Sequence, residues 1–428
     1  MTSQQRPFYG PWIIAASFIT FGLASGLPYY NIAFFYDYLR DDHQWTQQMV
    51  TLGAPVAILL TIWAGPVLAH RFNPRHLIVA GTGLTCLAFQ WFGHLHGSSI
   101  EYYAAWCVYM LGYLLSGPIP HQIIISNWYR RRRGQAMGIA YIGGALAGAI
   151  GNKLAPWLVS FMPYRSAIQV LGLLLLLAWP LALFVLKDRP EDIGQHPDGD
   201  DVLDVPALDA AESLTFAELT NRSSFWLLLV GSAASIGSIA SVNFLMKFVF
   251  EEQGFTSQAA RDQIWSTASF TALIGAIGGR IVVGWLADRM SRKTVMVATY
   301  SQVAIAIPLL FLVTPATPQY AYLFGAVFGF AMGADYMLIP LMAADTFGLR
   351  SLGRAMSAIV PGDTITQFWS PNMIARLRSV WGGYGSALWV ACGLAAVGAV
   401  AIALLPGGAR ERASAPAPAA PRALDPVK

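Results

Sequence analysis

The chain has 428 residues, of which 55% are hydrophobic and only 12% charged, with a formal net charge of +4. A soluble globular protein needs roughly 25% charged residues to cover its surface. The composition therefore excludes a cytosolic enzyme, a disulfide-built secreted module and a nucleic-acid binder, and points to a polytopic all-α membrane protein. Cys86, Cys107 and Cys392 all lie in apolar runs. They predict neither a disulfide framework nor a metal site, and no cofactor is expected.

A helix needs about 20 apolar residues to cross the hydrocarbon. Such runs occur at 11–38, 46–69, 77–97, 100–127, 134–161 and 166–186. Six more occur at 224–250, 262–286, 294–314, 318–345, 355–375 and 383–405. The first run is too long for a signal-peptide core and has only Arg6 before it, so no cleavable leader is expected. With both termini cytoplasmic, the inner connections carry 19 of the 27 Lys and Arg residues, the outer ones 5, and Lys153, Lys247 and Arg280 lie inside spans. That bias sets the orientation and predicts a multi-pass protein of the cell's inner (plasma) membrane.

Residues 1–187 and 224–407 thus form two six-helix bundles, with an acidic cytoplasmic linker at 188–223 and an Ala/Pro-rich tail at 408–428. Thr215-x-x-Glu218 in the linker is a capping-box pattern and predicts a short surface helix. Asn221-Arg222-Ser223 matches a glycosylation sequon but falls on the cytoplasmic side. The tail is expected to be disordered.

The two halves repeat. LAHRFNPR from Leu68 answers LADRMSRK from Leu286, and RGQAMGIA around Gly134 answers LGRAMSAI around Gly353. Both pairs are offset by 218 to 219 residues and occupy matching positions after spans 2 and 8 and at the start of spans 5 and 11. A parallel duplication of this kind places a binding site near the midplane between the halves and implies rocking of one half against the other.

The loop G-x-L-x-D-R-x-x-R-K at 284–293 resembles the signature of the major facilitator superfamily. The first copy departs from it, with Pro66 and His70 where that family usually has Gly and Asp. YGPWIIAASFITFGLASGLPYYNIAFFYDYL, NWYRRRRGQAMGIA, DRPEDIGQHPDG, FWLLLVG and GGRIVVGWLADR are similar to the bacterial monocarboxylate and oxalate/formate branch. The resemblance implies that Arg280 in span 8 binds a carboxylate, and that spans 5 and 8 pack across the halves. Gly143, Gly144, Gly148 and Gly151, with Gly275 and Gly279, would then form the sliding interface. Ala276 stands where animal members carry a coupling aspartate. Span 11 lacks the central basic residue of oxalate/formate exchangers.

An ionisable group at the bilayer centre usually marks function. Arg280 lies eight residues before Asp288, roughly 12 Å from the inner helix end. Its planar fork fits a carboxylate; the alternative is a structural ion pair with Asp335 or Asp363. Asp335 and Asp363 are candidates for proton coupling or for permanent helix-to-helix bonding. His121 lies at similar depth in the other half, as a substrate or proton group or as a packing residue. Lys153 and Lys247 lie nearer outer helix ends and read as snorkelling. Tyr29, Tyr30 and Asn31 follow Pro28 and, with Tyr336 and Trp369, are candidates to line a cavity. Asp288, Arg289 and Arg292, with the run that contains Arg130 and Arg131, are candidates for an inner gate.

These features predict symport of a small organic anion, a monocarboxylate such as lactate or pyruvate, with a proton. Its partners are then that anion, protons and the lipid bilayer, with no nucleic acid, and a monomer is expected. The alternatives are an anion exchanger of the oxalate/formate type and, from another class, a membrane sensor without transport. No H-E-x-x-H or P-loop pattern points to a membrane enzyme or an ATP-driven pump.

Overall fold

In the computed structural model, residues 7–63, 71–199 and 214–406 are described. Arg6, Pro66, His70, the acidic stretch at 200–213 and the tail at 408–428 lie outside them. The described residues form helices and connections, with no strand among them.

The first half contributes α1 (Gly10–His43), α2 (Gln47–Thr61), α3 (Pro74–Gly93), α4 (Ser99–Trp128), α5 (Arg133–Val159) and α6 (Tyr164–Val185). The second contributes α7 (Ser223–Glu252), α8 (Gln258–Arg289), α9 (Arg292–Leu312), α10 (Tyr320–Phe347), α11 (Leu349–Trp381) and α12 (Tyr384–Ala403). Eight of these helices are long and apolar enough to cross a membrane by length and composition alone. The other four are α2, α4, α5 and α11. In α2, 15 residues are described. α4 breaks at Gly117, ahead of Pro118 and Pro120. α1 contains a π-turn at Gly22–Gly26 just before Pro28, which reorients the tyrosines that follow.

Successive helices run in opposite directions. The start of α1, the end of α12 and the linker therefore share one end of the molecule, called here the linker face. The turns after α1, α3 and α5 share the opposite face. Thr215 caps the one-turn helix Phe216–Thr220, and its backbone N–H bonds the Glu218 carboxylate at 2.6 Å. That bond holds the Glu218 carboxyl below its usual range. Residues 188–199 fold back onto the first half: Arg75 N–H donates to Asp188 Oδ1 at 3.0 Å, and Trp128 Nε1 donates to the Lys187 carbonyl at 2.8 Å.

The apolar core shows how the halves meet. One cluster holds residues of both halves, among them Phe34, Tyr36 and Trp106 with Phe248, Trp265 and Phe324, all toward the opposite face. Near the linker face there are two separate clusters. One contains Ile13, Ile78, Ile124 and Trp128 of the first half, the other Phe225, Met296, Leu338 and Phe347 of the second. The halves are thus fused over one side of the membrane and independent on the other.

Within each half, small residues set the closest helix approaches. Gly143 and Gly144 receive α1 at Phe18 and Phe21, and Gly275 and Gly279 receive α10 at Ala326 and Phe330. Only Gly148 of the α5 glycines meets the second half, at Leu273. The glycine faces expected to slide against each other instead glue helices inside their own bundles. A side chain at Gly333 would overlap the Ala276 carbonyl of α8. Gly333→Val should therefore lower stability by about 1–3 kcal/mol through overpacking. Thermal unfolding of purified protein checks this, and an unchanged transition would contradict the close α8–α10 contact.

Candidate functional site

α5 and α8 cross antiparallel between the halves. Tyr141 meets Arg280, Gly148 meets Leu273, and Lys153 Nζ lies 5.1 Å from the centre of the Phe270 ring. Arg280 donates from Nη1 to the Tyr141 carbonyl at 2.8 Å and from Nε to the Gly333 carbonyl of α10 at 3.2 Å. The Tyr30 hydroxyl also lies beside the guanidinium. No described carboxylate lies within ion-pairing distance of it. The expected structural pair with Asp335 or Asp363 is therefore absent. Two residues along a helix turn the side chain by about 200°, so Asp335 points away from the α10 face that Gly333 presents to Arg280.

Asp335 and Asp363 instead point into the second bundle, and both are buried. Asp335 accepts from Ser235 Oγ at 2.8 Å and Asp363 from Ser232 Oγ at 2.7 Å. Both serines lie on α7, one turn apart.

Around Arg280 the wall is aromatic. Tyr29 and Tyr30 also border a small cavity of about 10 Å³ between the halves, lined by Asn152, Asn243, Trp265 and Ser269 and not by Arg280. Tyr336 is half exposed and donates to Gln367 Oε1 at 2.8 Å, while Gln367 Nε2 donates to the Tyr29 hydroxyl. Gln367 thus links the halves, and sequence reading passed over it. Its signal was its place one turn beyond Asp363, in a helix too polar to face lipid.

Three candidates move out of the site. His121 is fully buried in the first half, with Nδ1 against the Gly117 carbonyl at 2.8 Å and Nε2 against Thr20 Oγ1 at 2.9 Å. It satisfies the carbonyl freed by the break in α4 and presents no free nitrogen. Asn31 is buried in the α1–α5 joint, donating to the Leu27 carbonyl at 2.8 Å. Trp369 is exposed, whereas its neighbour Phe368 packs edge-on to Tyr29 at 6.2 Å.

The ends of the site differ. At the linker face Asp288 is exposed, Arg289 lies 3.9 Å over the Trp285 ring, and Arg292 pairs with Asp345 at 2.6 Å. Arg130 and Arg131 give their backbone N–H groups to Asp198 at 3.1 and 3.0 Å. Each of these contacts stays within its own half or the linker.

At the opposite face the halves are bolted together. Lys247 of α7 is 2% exposed, and its Nζ lies 2.7 Å from Asp37 of α1, 2.7 Å from Asp262 of α8 and 2.8 Å from the Phe34 carbonyl. Snorkelling is therefore the wrong account of Lys247; it is a paired, desolvated cation. Lys153, by contrast, is exposed. Arg40 clasps Glu251 with bonds of 2.6 and 2.9 Å, and Tyr38 donates to Asp262.

Removing one partner from a buried ion pair costs about 3–5 kcal/mol, because the other charge is left unmatched. Lys247→Met should therefore open the opposite face. Spin labels at Ile100 and Ala259, both exposed at that face, should move apart in a background lacking the three native cysteines. An unchanged distance distribution between them would refute this closing role.

An MFS-type transporter of Gibberella moniliformis is 26% identical over 70% of this chain and 68% of its own length. Monocarboxylate transporter 12 of Rattus norvegicus is 23% identical over 65% of this chain and 60% of its own. The riboflavin transporter MCH5 of Saccharomyces cerevisiae is 24% identical over 60% of this chain and 49% of its own. The chain thus spans about half to two thirds of the length of these relatives. In fold it is similar to the crystal structure of a bacterial homologue of the human lysosomal transporter Spinster, described as inward-facing and unoccupied. That likeness has a TM-score of 0.62 at 15% identity, covering 94% of this chain and 95% of the other. The Major Facilitator Superfamily is matched across residues 14–371, and the chain belongs to that family of membrane transporters.

Proposed function

We propose that the chain carries a small organic anion, a monocarboxylate of the size of lactate or pyruvate, together with a proton. The linker face is cytoplasmic in this reading, and the protein sits as a monomer in the inner (plasma) membrane. One observation carries the reading. A permanently charged guanidinium lies between the halves at mid-membrane depth, held by two carbonyls and a tyrosine, with no carboxylate among the described residues as counter-ion. An arginine so placed is unfavourable alone and is matched by an incoming anion.

The substrate carboxylate takes the fork of Arg280 in two charge-assisted bonds. Doing so competes with the Tyr141 carbonyl, which belongs to the other half. Binding therefore neutralises the site and loosens a link between α5 and α8 in one step. Tyr29, Tyr30 and Tyr336 give the remainder of a small substrate an amphipathic wall. The halves then rock, the opposite face parting at Lys247 and the linker face closing over Asp288, Arg289, Arg292 and the Arg130–Arg131 run. The coupled proton belongs to a buried acid of the second half, Asp335 or Asp363.

Exchange of the oxalate/formate type is the second reading. A dicarboxylate needs a second cation, and the basic residues of α11 lie toward its ends, at Arg350, Arg354, Arg376 and Arg378. That favours a single carboxylate.

Uptake of labelled monocarboxylates by proteoliposomes tests the anchor. Arg280→Lys keeps the charge but loses the fork; it should weaken half-saturation roughly 10- to 100-fold, the range of one lost charge-assisted bond. Arg280→Ala should abolish saturable uptake. Wild-type affinity in Arg280→Ala would end the anion-anchor reading.

A further inference from the structure

Between Arg280 and the Lys247 cluster, the seam of the two halves is walled by α1 and α5 on one side and by α7 and α8 on the other. On α8, Asp262, Trp265, Ser269, Leu273 and Arg280 recur at helical spacing and share one face. Asp262 bonds Lys247, Arg280 bonds the Tyr141 carbonyl, and the three residues between them border the cavity of about 10 Å³. The cavity thus lies on the line from the arginine to the ionic closure. Phe244, Trp265 and Leu273 make much of its wall apolar. Two amides interrupt that wall, Asn152 from the first half and Asn243 from the second. Asn152 is 1% exposed, and its Oδ1 reaches no hydrogen-bond partner among the described residues. The described bond of the Asn243 side chain is a weak one, from Nδ2 to the Met332 sulfur at 3.3 Å.

A buried polar group without a partner is costly and needs a physical reason. An apolar hole of this size stays dry, whereas a polar one with two to four hydrogen-bonding neighbours holds water. A cavity of about 10 Å³ has room for a single water. Asn152 offers it a donor and an acceptor, whichever way the amide is turned. Asn243 keeps its amide oxygen free of described partners. Ser269 gives its hydroxyl proton to the Trp265 carbonyl and can still accept. No carboxylate lines the cavity to hold a cation, and no cation lines it to hold an anion. A neutral hydrogen-bonding molecule of the size of water is what these walls fit.

We propose that this cavity is a binding site for one ordered water, which bridges Asn152 of the first half to Asn243 of the second with Ser269 as its third partner. The site does not depend on what the chain transports. A water-mediated bond is nearly as favourable as a direct one, so both amides are satisfied while the opposite face is shut. The seam between arginine and closure is therefore wet at its centre although its rim is aromatic. When the opposite face parts, each amide trades the shared water for bulk water, and no hydrogen bond is lost without replacement. The bridge holds the halves together without adding a charge pair that opening must break.

Hydroxyl-radical footprinting of the purified full chain, read by mass spectrometry, tests the site. Radicals formed from a bound water oxidise the side chains that touch it, however deep they lie. Met246 and Trp265 line the cavity and are 2% and 1% exposed. Met110 and Trp106 are 0% exposed, belong to the same core cluster and do not line the cavity, so they are internal controls. Met246 and Trp265 should be oxidised while Met110 and Trp106 stay at background. Their uptake of oxygen from isotopically heavy water should lag behind that of Met290, which is 51% exposed. Asn152→Leu removes the amide and fills the cavity, so it should return Met246 and Trp265 to the level of the controls. Asn243→Leu should do the same from the second half. The proposal is overturned if Met246 and Trp265 are oxidised no more than the controls, or if their labelling survives Asn152→Leu. It is equally overturned if they exchange heavy oxygen as fast as Met290, the mark of a seam open to bulk water. Size-exclusion profiles show whether each variant is folded, and the wild-type comparison of Met246 with Met110 needs no variant.

Discussion

An unmatched charge in a low-dielectric interior is the constraint on which this structure turns. Hydrocarbon offers no water to an exposed ion, so each buried charge needs a partner in every state the protein visits. Lys247 of α7 satisfies the rule completely: two carboxylates and a carbonyl surround it, contributed by α1 and α8. Arg280 satisfies it only in part, with carbonyl dipoles and a tyrosine. The contrast sorts the two cations. One is a closed structural bolt at the opposite face; the other is held between the halves by neutral groups, without a described carboxylate beside it.

The same rule explains where the halves touch. Their shared core and their ionic contacts lie toward the opposite face, and the Arg280–Tyr141 bond is the described inter-half hydrogen bond nearest the linker face. Beyond it the two bundles keep separate cores. Movement need not disturb those separate cores, because close glycine contacts hold helices within a bundle. Parting the opposite face therefore costs both its ion pairs and the apolar contacts of the shared core, such as Phe34 on Trp265 and Tyr36 on Phe244.

Much of this was legible in the chain. Hydrophobic runs placed most described span ends to within a few residues, since the bilayer thickness sets their length, but α11 runs six residues beyond its apolar stretch at each end. The capping box gave the short helix at Phe216–Thr220, because its signal is wholly local. Arg280, Asp335 and Asp363 stood out by depth alone. What depth does not give is azimuth. Lys247 lay near a helix end and read as snorkelling, but its face of α7 turns toward Asp37 of the other half, a partner 210 residues away. His121 sat at the depth of Arg280 yet turns inward to the broken turn at Gly117. The aromatic wall was placed one residue off, on Trp369 instead of Phe368, which is a rotation of about 100°. The glycines of α5 and α8 show the same gap, since small-residue spacing marks a close contact without naming the neighbour.

Azimuth also decides how the ligands speak to each other. Asp335 and Gly333 are neighbours in sequence but back to back on α10, so a direct exchange of Arg280 between substrate and acid is sterically barred in this arrangement. Under the proposed transport reading, a carboxylate at Arg280 would alter its hold on Gly333 of α10 and on Tyr141 of α5. The charge state of Asp335 would set the electrostatic cost of moving that same helix. The two effects would then meet in α10, whose opposite faces carry them, without any contact between the two groups.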